Sequence, residues 1–418
     1  MNFRGTEALD HILADHNHMP GTHTATAERR LTPGFALFVA CLTSFFVGFL
    51  LSNVAPVIGV AERRLGLSAA QVGWVLSAML LSHSVLLLIG GEFIDRWGLW
   101  KVLGTAFSVL TIGSLVQVMA ASFGVLLIAR LIMGIGSGLG FLAGLQLVGQ
   151  HTGGGPRQSF RQGLYGGMNH VGIVMAMLAL PAGLAGLGWA GTYSIVTALL
   201  IVATGIVWWG LHPLARNFSP TTHIPWREIL RDRRSWWFCL AHAMTFGFYL
   251  SLVSWLVKYL RGAYGADVAL ATAISTGLTT WAFLSRMGGG YLAGLVGEKR
   301  LVMWATAGVV VTFALMVLWG ALWPAVAGLA LAVLAVNLPF GAIFALASRS
   351  FPGGMTGRRL SFILTPASIL AFVLPVVYGY VLEGTHSYGM GFLPWAVLGG
   401  LMFLVLLLQQ SSVLRTTE

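Results

Sequence analysis

Charged and ionisable side chains are rare inside the long apolar runs of this chain, and the few that occur carry its chemistry. Arg286, His83, His170 and His242 lie within such runs, and so do the amides of Asn53, Asn169 and Asn337. A charge at the centre of a membrane-spanning helix costs about 2.5–3.5 kcal/mol on insertion scales, so each of these residues marks a site hypothesis. Arg286 gives the sharpest one. It follows Ser285, has apolar neighbours, and has no acid in its own helix. A guanidinium is all donor and keeps its charge, so it needs an acceptor, best of all an anion. Where the protein supplies no carboxylate, a solute carboxylate or oxyanion is the natural counter-ion. The plain alternative is that Arg286 bonds backbone carbonyls or reaches back to the interface. Acids are nearly missing from the runs: Glu92 lies at a run's end beside Asp95, and Glu383 closes another. Proton-coupled chemistry would therefore use His, which titrates near neutral pH, or a proton carried by the solute itself. Three imidazoles without carboxylates do not suit a divalent-cation site, so neither metal nor cofactor is expected. Tyr249 and Trp255 lie on one run with His242 and can pack around an organic group.

The elements that must position these groups follow from composition. Of 418 residues, 57% are hydrophobic and 9% charged, and mean hydropathy is +0.82. A soluble domain carries about a quarter charged residues, so the chain reads as a polytopic membrane protein. Apolar runs fall at about 34–60, 68–94, 102–120, 123–148, 163–186, 190–210, 236–260, 268–296, 301–322, 325–347, 360–382 and 391–408, which predicts twelve spans. The expected organisation is a polar tail over 1–31, a six-helix bundle over 32–210, a linker over 211–235, a second bundle over 236–410 and a short tail over 411–418. The first tail holds His11, His16, His18 and His23, and no apolar stretch there precedes a small-residue cleavage site, so it does not read as a signal peptide. Cys41 and Cys239 both fall inside apolar runs and read as core thiols rather than a disulfide. The net charge of +11 is dispersed over short loops, which suits anionic lipid and not nucleic acid. Every Lys and Arg falls on the side of the two tails except Arg63, Arg64, Lys258, Arg261 and the span residues Arg130 and Arg286. The positive-inside rule then puts both termini in the cytoplasm, with the inner (plasma) membrane as the expected location.

Two stretches organise the spans. Gly90-Gly91-Glu92-Phe93-Ile94-Asp95-Arg96-Trp97-Gly98-Leu99-Trp100-Lys101 interrupts the second and third runs with three glycines and a cluster of charges, and a similar stretch from Gly289 to Arg300 returns 199 residues later. A recurrence at nearly half the chain length implies a duplicated bundle. Asp95 can accept hydrogen bonds from a helix N-terminus packed against it, or pair with Arg358 or Arg359 ahead of the eleventh run. The position matching Asp95 in the second half is Gly294, so a symmetric latch is expected to be absent there. The second stretch is Arg130-Leu131-Ile132-Met133-Gly134-Ile135-Gly136-Ser137-Gly138 in the fourth run.

With these motifs and the six-plus-six layout the chain resembles the major facilitator superfamily of secondary transporters. Gly91, Asp95, Arg96, Gly98 and Lys101 match the family's loop pattern, with Leu99 at one usually basic position, and Arg130, Gly134, Gly136 and Gly138 match its fourth-span pattern. The resemblance implies an all-α fold of two six-helix bundles that rock about a central cavity, with Gly91 to Lys101, Arg358 and Arg359 as gate and Arg130 in helix packing or coupling. An arginine at the place of Arg286 is similar to those of monocarboxylate, oxalate and nitrate carriers. The span-two arginine of nitrate-type carriers is replaced by Leu87, and the aspartate of many monocarboxylate carriers by Ala282. Span five lacks the Gly-Pro signature of the antiporter branch, which favours uptake, symport or facilitated flux. The expected function is alternating-access transport of a small carboxylate or oxyanion by a monomer, with protons as a candidate coupling ion. The expected solute contacts are Arg286, His83, Asn169, His170, His242, Asn53, Asn337 and Tyr249. The alternatives are a multidrug or metabolite exporter with an apolar cavity, which the Met and Trp content suits, and a non-transporting sensor or assembly factor. No phosphate loop, His-Glu metal pair or nucleophile elbow points to an enzyme.

Overall fold

The computed structural model describes residues 31–152, 157–216, 224–351 and 354–413. The His-rich segment, Gly153 to Pro156, part of the linker and the last five residues lie outside this set. Nine helical runs are long and apolar enough to cross a membrane. Two of them hold two spans each. Ala69–Val118 folds back at Gly98 and Gln158–Gly210 at Gly188, with φ of 82° and 65°, the left-handed region that glycine enters without a Cβ penalty. Glu298–Leu315 adds a span that opens on three charged residues. The described residues therefore form twelve spans in two six-helix halves, and the predicted fold class holds.

Helix starts follow local chemistry. Ser68 accepts from the Gln71 amide while the Gln71 side chain accepts from the Ser68 amide, a reciprocal capping box at the start of span two. Ser122, Asp267 and Thr356 cap spans four, eight and eleven in the same position. Three spans are irregular, each beside a polar group discussed below. Span one breaks between Pro33–Leu51 and Ile58–Leu65. Span seven runs as Arg233–His242, a π-helical turn Ala243–Gly247, and Phe248–Tyr264. Span ten breaks between Leu322–Asn337 and Phe340–Ser350, where Pro339 can donate no backbone hydrogen bond.

The halves meet along two related seams. Span two packs on span eleven, where a Cβ on Gly91 would lie 2.2 Å from the Gly357 carbonyl oxygen. Span five packs on span eight, where a Cβ on Gly290 would lie 2.5 Å from the Ser159 carbonyl oxygen. Gly91 and Gly290 are the repeat-related glycines, and each lets the partner half's backbone come within contact. Outside this packed core, Trp74, Trp97, Trp209, Trp304 and Trp323 are exposed on the molecule's flank, as interfacial tryptophans of a membrane protein are. Cys41 and Cys239 are both free thiols.

Candidate functional site

Arg286 projects from span eight into the seam between the halves and is 1% exposed. Its Nε donates to Asn337 Oδ1 at 2.9 Å and its Nη1 to the Gly166 carbonyl at 2.9 Å. The guanidinium lies on the face of Phe340, 4.3 Å from the ring centre. Nη2 is buried without a partner. Every partner is neutral, and no carboxylate pairs with Arg286 among the described residues. The helix break explains how Asn337 reaches it. Its Nδ2 is tied to the Val333 carbonyl at 2.8 Å, which leaves Oδ1 to face the guanidinium.

Two histidines complete the cluster. His170 Nδ1 lies 3.3 Å from the same Gly166 carbonyl that Arg286 uses, and its ring centre is 4.8 Å from that of Tyr249. His242 sits at the start of the π-helical turn, with Nδ1 3.3 Å from Thr245 Oγ1 and its ring against Phe246, Phe340 and Phe344. A π-turn often marks a functional position, because it re-aims side chains inside an otherwise regular helix. His170 Nε2, His242 Nε2 and the Tyr249 hydroxyl are buried without hydrogen-bond partners, as Arg286 Nη2 is. The Tyr249 hydroxyl faces Thr279, whose own hydroxyl donates to the Ser275 carbonyl. Four unsatisfied polar atoms in one buried cluster are uncommon, since each costs about 1–3 kcal/mol.

The remaining predicted contacts are placed elsewhere. Asn53 lies in the break of span one, where Oδ1 accepts from Arg130 at 2.7 Å and Nδ2 donates to Gln117 at 3.2 Å. Its amide is spent, and the structure does not bring it to Arg286. His83 Nδ1 pairs with Ser137 Oγ at 2.7 Å beside Phe141, and Phe141 in turn stacks on Phe246. It stands one aromatic layer away. Asn169 Nδ2 reaches the Ser44 carbonyl at 3.4 Å, joining spans five and one. Trp255 bonds the Pro375 carbonyl and stacks on Tyr378, so it packs between spans seven and eleven.

Arg130 is a buried arginine with the opposite character. It gives four hydrogen bonds, to the carbonyls of Val75, Leu50 and Leu51 and to Asn53. Three of these acceptors belong to the point where span one breaks, so Arg130 replaces the bonds that the broken helix gives up. Gly134, Gly136 and Gly138 follow it, and a Cβ on them would lie 2.3, 2.6 and 2.5 Å from the Met79, Ala106 and His83 carbonyl oxygens. Their close contacts bring span four onto spans two and three.

The residues expected to form a gate lie together where span two meets span eleven. Asp95 Oδ1 accepts from the Gly357 amide at 2.7 Å and Oδ2 from the Arg358 amide at 3.1 Å, capping span eleven. The Gly91 amide donates to Ser361 Oγ at 2.9 Å. The side chain of Arg358 pairs with Glu92, which also holds Arg96, and donates to the Ile224 carbonyl at 2.8 Å. Arg359 reaches Glu228 in the short helix Trp226–Arg231. Lys101 is exposed. The second seam has no acid at Gly294, as expected, yet one crosses it from elsewhere. Glu298, four residues past that position, accepts from Ser159 Oγ at 2.6 Å across the halves and pairs with Arg349. The chain breaks at Gly297, and Glu298 opens span nine, from where it faces the first turn of span five.

A Major Facilitator Superfamily profile matches residues 40–375. The chain belongs to that superfamily. Among curated relatives it is 26% identical over 294 residues to the probable nitrate/nitrite antiporter NarK1 of Thermus thermophilus, covering 64% of this chain and 62% of that protein. It is 23% identical over 356 residues to the probable nitrate/nitrite transporter NarK2 of Mycobacterium tuberculosis, covering 81% and 87%. It is 24% identical over 418 residues to the probable sulfoacetate transporter SauU of Cupriavidus necator, covering 90% and 92%. Of solved structures, the human organic anion transporter MFSD10 aligns with TM-score 0.74 at 15% identity, over 90% of this chain and 99% of the other. The E. coli fucose:proton symporter FucP aligns at 0.71 and 16%, over 90% and 98%. At such identities the structures show the fold alone; it is the superfamily match over residues 40–375 that makes the protein a multi-pass membrane transporter rather than an enzyme.

Several contributors carry no sequence signal of their own. Phe340 reads as one more apolar residue, and Gly166 offers only a carbonyl. Glu298 lies in a charged turn whose partner, Ser159, is more than a hundred residues away. Their roles come from the packing of span five on spans eight and ten.

Proposed function

We propose that this superfamily member is an alternating-access carrier of a small anion, a carboxylate or oxyanion, with Arg286 as the counter-ion. The observation that carries this is the unpartnered Nη2 of a fully buried guanidinium held only by neutral groups. Arg130 shows what a structural arginine looks like in the same protein, with its donors spent on four acceptors. The relatives named for nitrate, nitrite and sulfoacetate take oxyanions, the chemistry that a guanidinium fork matches. Leu87 stands in for a second arginine, so a single buried cation meets the solute. Arg286 grows from one half and bonds Gly166 of the other, so a solute on Nη2 touches the joint between the halves directly. His170 uses Nδ1 on Gly166 and keeps Nε2 as the atom that carries a coupling proton. The uneven distribution of Lys and Arg supports placing the latch end in the cytoplasm.

The test is flux of labelled nitrate, nitrite, acetate and sulfoacetate into proteoliposomes, with and without a pH gradient, for wild type, Arg286→Ala and Arg286→Lys. Truncating one partner of a buried charge pair costs about 2–5 kcal/mol, roughly 30- to 5,000-fold in affinity. The alanine variant is expected to lose saturable flux by that factor. Lysine, a point charge that cannot span Asn337 and Gly166 together, is expected to recover only part of it. Unchanged anion flux in the alanine variant refutes the assignment.

A further inference from the structure

A cavity of about 170 Å³ lies between spans four and five of one half and spans ten and eleven of the other, on the latch side of Arg286. Its lining includes Gln146, Gln150, Gln162, Ser348, Thr356 and Phe344, and no charged side chain lines it. At about 30 Å³ per liquid water it has room for several waters, or for an ion the size of nitrate or acetate. Gln146 and Gln162 are 4% and 1% exposed, and each has a buried side-chain carbonyl oxygen with no partner. Two buried amides with unspent capacity at one cavity are a built polar site, not a packing gap, since an unfilled acceptor is costly and an apolar residue would fill the space without that cost. Thr356 accepts the Arg359 amide on Oγ1, which leaves its hydroxyl proton to donate. A primary amide is nearly the same shape when turned end for end and then presents two N–H donors, so both glutamines can face an oxyanion.

We infer that this cavity is a second, charge-free binding site for the transported oxyanion, occupied between Arg286 and the latch end. The inference rests on the anion reading of Arg286. The wall between the two sites is thin. Phe344 lines the cavity, and its ring lies 5.0 Å from the His242 ring and 4.9 Å from Phe340, on whose face Arg286 rests. Swinging Phe344 aside joins the cavity to the arginine cluster. The difference in chemistry sets an order of affinity. A guanidinium holds an anion strongly, whereas neutral amides and a hydroxyl hold it loosely. A path that must also let its cargo go needs such a weak second site.

The experiment measures KM for the fastest-carried of nitrate, nitrite, acetate and sulfoacetate separately from each face, in vesicles of known orientation containing the full-length protein. Gln162→Leu and Gln146→Leu, close to isosteric, are expected to raise KM at least fivefold from the latch face while KM from the other face stays within twofold. Gln162→Glu places a negative charge beside the path and is expected to cut latch-face anion flux more than tenfold. Arg286→Ala, in contrast, impairs both faces. Equal changes on both faces, or none in any glutamine variant, overturn the second site and leave a water-filled pocket. Wild-type vesicles that carry none of the four anions refute the Arg286 reading itself, and this site with it.

Discussion

The two glycine seams make a demanding prediction, because a single methyl group tests them. In Gly91→Ala the new Cβ would lie 2.2 Å from the Gly357 carbonyl oxygen, 2.3 Å from its carbon and 2.4 Å from Ser361 Oγ. Two of these atoms are backbone and cannot rotate away. Ordinary contact begins near 3.4 Å, so span eleven must retreat by about 1 Å, at the roughly 1–3 kcal/mol typical of overpacking. That retreat would stretch the bond from the Gly357 amide to Asp95, now 2.7 Å, beyond hydrogen-bonding distance. It would also weaken the Arg358 amide and Glu92 contacts beside it. All of this strain belongs to the closed latch and vanishes when the halves part. The closed-to-open ratio should therefore fall by about 5- to 150-fold. Spin labels at Lys101→Cys and Arg300→Cys, both exposed and in different halves, would report it in a background lacking Cys41 and Cys239. The expected result is a longer inter-label distance, or a new long-distance population, in Gly91→Ala. Gly290→Ala should behave alike, since its Cβ meets the Ser159 carbonyl at 2.5 Å. A distance distribution identical to wild type in both variants would refute the claim that these glycines set the closed state.

Two further outcomes follow from the polar networks. Arg130→Ala strands the carbonyls of Leu50, Leu51 and Val75 and one Asn53 oxygen. It should lower the thermal unfolding midpoint in detergent by far more than Arg286→Ala does, with a cost of about 3 kcal/mol or more; equal midpoints would contradict the structural reading of Arg130. Glu298→Gln keeps an acceptor for Ser159 and loses the charge facing Arg349. It should loosen the latch end by about 1 kcal/mol, visible as faster hydrogen exchange in the first turn of span five, and an unaltered exchange rate there would show that Glu298 does not hold the seam.

The chain's order made some of this legible. Apolar run length fixes twelve spans because a bilayer admits only helices that satisfy their own backbone. Glycine and charge at one recurring spacing disclose the duplication. The rarity of buried charge singles out Arg130, Arg286, His83, His170 and His242 alike, because burying such groups is costly. For Asp95 the sequence left capping a helix N-terminus and pairing with Arg358 or Arg359 both open, and packing puts it on the Gly357 and Arg358 amides.

Tertiary packing decided the rest. By composition alone Arg130 and Arg286 are alike, two arginines in apolar runs; only the family resemblance assigned Arg130 to packing or coupling and Arg286 to the solute. They differ because the break in span one surrounds Arg130 with carbonyls, while the break in span ten gives Arg286 one amide, one aromatic face and an open donor. Asn53 and Asn337 part ways for the same reason. Likewise the acid on the second seam lies off the repeat register, since what matters is the surface a side chain faces once the chain has turned at Gly297, not its alignment with Asp95. Hydrogen-bond satisfaction depends on partners hundreds of residues distant, so it exists only once the helices are assembled.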